Sequence, residues 1–591
     1  MSRGRRSVLL VVLAVGLLLS GCTTIPSSSS PQVLRTLNRS GAGSPRASIT
    51  SEPGEGPRDV VSKFISAGVQ ADAAHSSSRQ FLTNAAARKW QDNTTIIVDT
   101  ATIGVASQGN DRGNVAVTGQ RIGQLDAAGI YTPTLKRMGL GDPETFNFKL
   151  VKVAGEWRID QLQAGVIIDR QAFLDSYVPS TSLYFLSSGD SDSNAVNLVP
   201  DARYTPLTGQ ALASWLLTQL LAGPRPELVQ SVSSEVPDQV GKPSVQLGDP
   251  IVVELPGTAQ LDSGGRNALA AQLAYTFASF EYSGAQLALT DAGRPVRIPQ
   301  ASGSTFSQDM FSSLSPDPAT PDAESYFIRA GAVIKGADDK PVPGLLGQSS
   351  RGLSSVALRH DQAGTLQVAA VANNSLLLGT DSKLVRVPLA PGVISRPEWR
   401  PHASDVWFGL GGAGAIYRIP RSQQPRPVSI SSPVGSGPVG QVIALRFSPD
   451  GVRLAAVVRA PDGTAAAWVG SVVTSGSDVR IDSFEPVTPA QLTVNDVSWL
   501  DSTKLAMIGS APDTNNGAPL VWAVHSDGSQ LSAVSNSGLP PGPNSIASEP
   551  GGPTLVSASG TIWAHATQDA PSWASYPNKV PSEGSNPIFA G

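Results

Sequence analysis

The feature that most constrains this fold is an irregular internal repeat in the C-terminal half. An apolar strand leads to an anchor residue. A polar turn follows, and a second apolar strand begins six or seven residues later. The anchors are His360, Trp399, Phe447, Trp499 and Glu549, and the partners on the second strands are Leu366, Val406, Leu454, Leu505 and Leu555. The anchors are spaced by 39, 48, 52 and 50 residues. Periods of 40–50 residues with several strands each are the signature of a β-propeller, whose blades bury their faces only by stacking around an axis. The turn Phe447-Ser448-Pro449-Asp450-Gly451 is the cleanest copy. The spacing predicts about five blades over residues 326–591, with the strand at 326–334 completing the C-terminal blade. The composition agrees: 58 Gly, 47 Pro and only 15% charged residues suit turn-rich β structure.

The other end of the chain carries a targeting signal. Arg3, Arg5 and Arg6 precede an apolar run at 8–19, followed by Leu19-Ser20-Gly21-Cys22. The run is short for a membrane span, which needs about 20 residues. Its flanks are those of a signal peptide. Leu-Ser-Gly-Cys resembles the bacterial lipobox. The resemblance implies cleavage between Gly21 and Cys22, an S-diacylglyceryl group on Cys22 and N-acylation of the same residue, with palmitate as an acyl chain. The bland alternative is a free thiol that happens to follow an apolar run. Cys22 is the sole cysteine, so no internal disulfide is possible. Loss of residues 1–21 removes three arginines and no acid, moving the net charge from -4 to -7. That charge offers nothing to anionic lipid and no basic face to nucleic acid. Residues 22–56 are rich in Ser, Pro, Gly and Thr and read as a lipidated N-terminus and flexible tether reaching roughly 30 Å.

Two domains are expected between tether and propeller. Residues 57–177 begin with a helix from Pro57 carrying Val60, Val61, Phe64, Ile65 and Val69 on one stripe, then a second helix containing Phe81, Leu82 and Trp90. Alternating strands follow at 95–105, 115–122, 146–153 and 157–162. Helices first and a sheet after suggest an α+β domain. The order, with Gly155-Glu156-Trp157, resembles nuclear transport factor 2 relatives, whose cone can hold a ligand; Trp90 and Trp157 can equally just fill its core. Residues 178–300 alternate strands with helices at 212–221 and 266–277. The Leu183-Tyr184-Phe185 strand, Leu220-Leu221-Ala222-Gly223-Pro224 and Gln272-Leu273-Ala274-Tyr275-Thr276-Phe277 resemble the α/β GerMN module of exported proteins, which implies a binding role without a catalytic motif. Residues 301–325 read as a linker.

Catalytic and metal motifs were sought and mostly not found. The five histidines (His75, His360, His402, His525 and His565) have no metal-ligand spacing, and with Cys22 lipidated no thiolate remains. Gly409-Leu410-Gly411-Gly412-Ala413-Gly414 matches a dinucleotide fingerprint, but a strand follows it where a helix N-terminus is required, so a hairpin turn is expected. Asp190-Ser191-Asp192-Ser193-Asn194 has calcium-like oxygens, but Ala195 and Asp201 stand where Gly and Glu belong. No cofactor or metal site is expected. The propeller tryptophans Trp399, Trp407, Trp468, Trp499, Trp522 and Trp563 are expected between blades, with one or two on a binding face as the alternative.

Lipobox, tether, helix-then-sheet domain, GerMN-like domain and propeller, in this order, resemble LpqB, a lipoprotein family of actinobacteria, over essentially the whole chain. The resemblance implies a non-enzymatic accessory of the MtrA–MtrB two-component system. Such an accessory is held by lipid on the extracytoplasmic face of the cell membrane and binds the extracellular domain of the sensor histidine kinase MtrB. It modulates signalling for envelope and division. Of the family's residues only Cys22 carries over. Two other classes stay open: a carrier for a lipid or wall fragment, and a propeller-based hydrolase. An apolar pocket would favour the carrier and convergent carboxylates the hydrolase.

Overall fold

The computed structural model describes residues 49–50, 52, 54–70, 75–134, 143–177, 181–188, 196–237, 241–280, 285–317, 323–361, 363–411, 414–421, 424–432, 440–512, 514–566, 571–577 and 580–590. Gly21, Cys22 and the calcium-like loop at 190–194 lie outside the described residues. Residues 42–591 form one compact unit. No helix among the described residues is long and apolar enough to cross a membrane.

The first domain follows the expected order. Helix Pro57–Ala67 starts on a proline, which has no N–H to leave unpaired, and buries Val60, Val61 and Phe64. The second expected helix is two: Ser76–Arg79 and Asn84–Lys89. The break falls at Leu82, which forms a β-bridge to Ile159, and Thr83 then caps the next helix by accepting from the Ala86 N–H at 3.2 Å. The sheet runs Glu156–Gln161, Glu144–Val153, Arg112–Leu125, Thr95–Gln108, Val166–Asp169, and the last pair is parallel. Trp90 and Trp157 lie buried in the core with Phe64, Phe146 and Phe148, and the Trp90 indole donates to the Gly165 carbonyl at 3.3 Å. Both tryptophans therefore fill the core.

The second domain packs helices Gly209–Ala222 and Ser263–Phe277 against two small sheets. Asp262 caps the second helix, accepting from the Gly265 N–H at 2.7 Å. The segment expected as a linker is part of this core. Phe306 pairs with Leu287 and, with Phe311, is fully buried beside Phe277 and Leu289. Two phenylalanines in a Ser/Pro/Asp-rich stretch had somewhere apolar to go, and burial of each contributes about 1.5–3 kcal/mol.

The propeller has six blades. Five are contiguous: residues 353–386, 398–427, 429–486, 493–533 and 543–575. The repeated strand pairs fall in register: His360 faces Leu366, Trp399 faces Val406, Phe447 faces Leu454 and Trp499 faces Leu505. In the last of the five, Ser548 faces Thr554, and Glu549 lies beyond the strand. The strand expected to complete that blade instead forms a sixth. Ser325–Arg329, Ala332–Lys335 and Lys340–Pro341 take the C-terminal strand Ser585–Phe589 as their inner edge. Because its inner strand lies more than 240 residues from its second, this blade has no contiguous copy of the repeat.

Neighbouring blades are stapled by their anchors. The indoles of Trp399 and Trp499 donate to carbonyls of the preceding inner strand, Ala357 at 3.2 Å and Arg446 at 3.0 Å. The Phe447 ring meets Trp407 of the preceding blade edge-on at 5.1 Å. Trp407 is fully buried and donates to Asp405 Oδ2 at 2.7 Å.

The three domains meet through buried polar groups. The Tyr204 ring leaves the second domain to pack against Tyr131 and Phe173 of the first, while its hydroxyl meets Ser529 Oγ of the propeller at 2.5 Å. Arg453, paired with Asp450 at 3.1 Å, donates to the Pro200 carbonyl at 2.5 Å. Asp317 Oδ1 accepts from the Ser502 N–H at 2.7 Å and hydroxyl at 2.8 Å. Burial, then the neighbouring Asp501 charge, pushes the Asp317 carboxyl up to about 6.

Two outcomes are expected. Trp407→Ala should cost about 3–5 kcal/mol in a urea melt, because it opens a cavity between two blades and removes the indole donor to Asp405. For Asp317 the folded value lies above the ordinary 3.8, so the folded protein holds the proton more tightly than the unfolded chain. Its contribution is full at low pH and is lost as pH rises from about 4 through about 6. Asp317→Asn should therefore shrink the fall in stability between about pH 4 and about pH 7 by about 2 kcal/mol, read as a flatter plot of melting temperature against pH.

Candidate functional site

The inner strands end around the propeller axis, and there they enclose a cavity of about 1040 Å³. Its walls come from the ends of the inner strands and the turns that follow them. Blade 398–427 is the shortest, with the two-residue inner strand Glu398–Trp399, and the cavity widens into the gap beside it, reaching Leu378, Val406 and Ile419.

The residue before each of the first four anchors lines this space: Arg359, Glu398, Arg446 and Ser498. Side chains alternate along a strand. Trp399, Phe447 and Trp499 reach the preceding blade, and the residue before each points to the other face of its strand. Arg359 lies over the Trp399 ring at 4.2 Å and donates to the Ala403 carbonyl. Glu398 faces Arg446 at 3.4 Å. Arg396 lies two residues before Glu398 and donates through Nη2 to the Pro587 carbonyl at 2.7 Å.

Five arginines line the cavity (Arg359, Arg396, Arg400, Arg421 and Arg446) against three carboxylates, Asp361, Glu398 and Glu549. The Asp361 carboxylate is turned back on its own loop, accepting from the N–H groups of Ala363 at 3.0 Å and Thr365 at 2.9 Å. Burial, with the neighbouring Arg446 charge, pulls the Arg396 guanidinium down to about 9. Burial also lowers Arg359, and it raises the Glu398 carboxyl against the pull of Arg446 and Arg396. His402 at the rim is lowered, again by burial. The site is thus a polar, arginine-rich chamber with Trp399 and Trp499 in its walls, suited to holding a ligand group by hydrogen bonds and charge.

Of the residues singled out in the sequence, His360, His402, Trp399 and Trp499 come together here. His75 instead pairs with Asp92 in the first domain at 3.1 Å, and His525 and His565 belong to outer strands. Gly409 pairs with Ile416 in an antiparallel hairpin, so the dinucleotide-like stretch is a turn whose Gly412 and Ala413 lie outside the described residues. Among the described residues no group of three His, Cys, Asp or Glu side chains could hold a metal. Arg359, Arg396 and Arg446 were missed because no contiguous motif joins them. For Arg359 and Arg446 the signal was the position one before an anchor, legible in the alignment of the repeat; Arg396, three before Trp399, has no such signal.

Comparison with known proteins places these domains. Residues 50–174 match a family described as the N-terminal domain of lipoprotein LpqB, 182–295 one described as sporulation and spore germination, and 331–590 the lipoprotein LpqB beta-propeller domain. Lipoprotein LpqB of Rhodococcus jostii is 32% identical over 494 residues, 78% of this chain and 79% of that one. Lipoprotein LpqB of Nocardia farcinica is 28% identical over 643 residues, 100% and 98% of the two chains. Among solved structures a putative TolB from Agrobacterium tumefaciens is similar at 14% identity and TM-score 0.31, over 44% of this chain and 89% of that one. With a relative of this identity over more than three quarters of both sequences, and with domain families matched in the same order as the folded domains, the chain belongs to the LpqB lipoprotein family.

Proposed function

We propose that this lipoprotein is held by lipid on Cys22 at the extracytoplasmic face of the cell membrane. There it binds the extracellular domain of the sensor kinase MtrB and modulates its signalling to the envelope and division machinery. The observation that carries the reading is the joining of three domains into one compact unit by buried contacts. Arg453 to Pro200, Ser502 to Asp317 and Tyr204 to Ser529 fix the domains against each other. A platform of this kind presents one composite surface and loses little conformational entropy when it docks. Cys22 precedes the first described helix, Pro57–Ala67, by 35 residues, so the folded unit stays within reach of membrane neighbours. Confinement of both partners to one membrane raises their effective concentration without new contacts. Contact changes kinase output only through a difference in affinity for its two states.

The test is cross-linking in native membranes. Intact protein should yield an adduct with the extracellular domain of the kinase. Cys22→Ala should leave the membrane fraction or accumulate as unprocessed precursor, and the adduct should fall at least about tenfold with the lost effective concentration. Recovery of intact lipidated protein without any sensor kinase would defeat the proposal.

A further inference from the structure

The cavity at the propeller axis has a property that the kinase reading does not use. Four guanidinium nitrogens at its walls are buried and make no hydrogen bond: Nε of Arg359, Nε and Nη1 of Arg396, and Nη2 of Arg446. Only two other arginine nitrogens among the described residues are in that state, on Arg225 and Arg266, and neither lines this space. Arg446 is 5% exposed, so its free donor has no route to bulk water except through the chamber. Among the described residues Arg396 has no ion pair, and its one hydrogen bond runs to the Pro587 carbonyl. Three of the carboxylates nearby are committed elsewhere. Glu398 is placed on Arg446, Asp361 on its own turn, and Asp496 on the backbone N–H groups of Val497 and Ile546 at 3.0 and 2.9 Å.

A buried guanidinium nitrogen left without an acceptor is costly, even where the rest of the group is paired. Three arginines with such donors, from three different blades and all lining one cavity, are hard to explain as packing. They supply what a binding site for an oxyanion requires: unfilled N–H donors from several elements, positive charge and a recessed surface. A volume of about 1040 Å³ is at the upper end of small-molecule pockets, which run from roughly 300 to 1,000 Å³. Arg359 keeps its plane over Trp399, which holds the guanidinium flat at the chamber wall.

We infer that the propeller chamber is a binding site for a small soluble molecule carrying phosphate or carboxylate groups, held by Arg359, Arg396 and Arg446. The ligand's oxygens take up the unpartnered donors, and the backbone of each inner strand stays where blade stapling puts it. The site lies wholly within the propeller, so its occupancy is a separate question from kinase binding.

The test uses the full mature lipidated chain in detergent with three probes: inorganic phosphate, citrate and glucose 1-phosphate. Titration calorimetry should give one site per chain for at least one probe. Its affinity should drop at least about tenfold in Arg396→Gln, a loss of about 1.4 kcal/mol, and stay unchanged in Arg294→Gln on an exposed hairpin of the second domain. The bound probe should raise the melting temperature of the wild type and leave that of Arg396→Gln unmoved. Without any probe, Arg396→Gln should melt no lower than the wild type, since it removes a buried charge that lacks a partner. That comparison separates a ligand-binding arginine from a structural one. No heat from any of the three probes at about 10 mM, or equal affinity in wild type and Arg396→Gln, overturns the inference. So does binding to phosphatidylglycerol vesicles alone.

Discussion

Everything in the C-terminal half depends on one pairing: the last strand, Ser585–Phe589, laid against the first, Ser325–Arg329. An open array of blades leaves the outer face of its first and last sheets bare, and only closure covers them. Closure by strand exchange joins the two ends of a 265-residue segment through backbone hydrogen bonds. It also seats Phe327 and Ile334 against Leu555 and Ile562 of the neighbouring blade. Asn586 reaches both sides of the seam, with its N–H on Ser545 at 3.1 Å and its amide on the Ser354 carbonyl at 2.7 Å. The strand that closes the ring also places Pro587, whose carbonyl orients Arg396 in the chamber. Ring closure and chamber geometry are therefore set by the same five residues.

The stapling of blades explains how a chamber so rich in charge survives. Trp399 and Trp499 lean on the preceding inner strand and Phe447 on Trp407 of the preceding blade, which takes the load of packing off the alternate residues. Those residues are then free to be polar. Where the anchor is Trp399 or Phe447, the residue before it is Glu398 or Arg446. The apolar clusters lie farther out, between the second and third strands of neighbouring blades, around Leu505 and Met507 in one gap and Leu454 and Ile481 in another.

Much of this was legible in the sequence, and the misses have physical causes. The repeat was readable because strand, tight turn and strand must keep a fixed count, and that count is what put Phe447 opposite Leu454. The sixth blade was not, because strand exchange places its halves at opposite ends of the domain. Strand Leu198–Arg203 was not among the expected strands, because Pro200, Asp201 and Arg203 give it no apolar alternation, yet all six of its residues are buried. Arg203 donates to the Asp201 carboxylate at 2.7 Å within the strand and to the Ala128 carbonyl of the first domain at 3.1 Å, so a buried ion pair ties this strand to the first domain. Likewise Phe306 and Phe311 were lost among serines and prolines, since two isolated rings make no period. The chamber arginines were invisible to motif search for the reason that most propeller sites are: neighbours around an axis are about 40–50 residues apart in sequence.

The turn that first identified the repeat also links the two halves of the molecule's architecture. Ser448 and Asp450 brace the turn: the Ser448 hydroxyl accepts from the Arg453 N–H at 2.9 Å, and Asp450 accepts from the Val452 N–H at 2.9 Å. On one side Pro449 walls the chamber and the Gly451 carbonyl accepts from Arg400, another wall residue, at 3.4 Å. On the other side Arg453 holds the Pro200 carbonyl of the second domain, and Val452 lies in that domain's apolar core. Gly451 takes φ +70, a conformation in which a side chain would be strained, and a Cβ there would meet the Pro401 carbonyl at 3.1 Å. One short loop, with no room for a side chain at Gly451, thus joins the chamber wall at Arg400 to Pro200 of the second domain through hydrogen bonds on both sides.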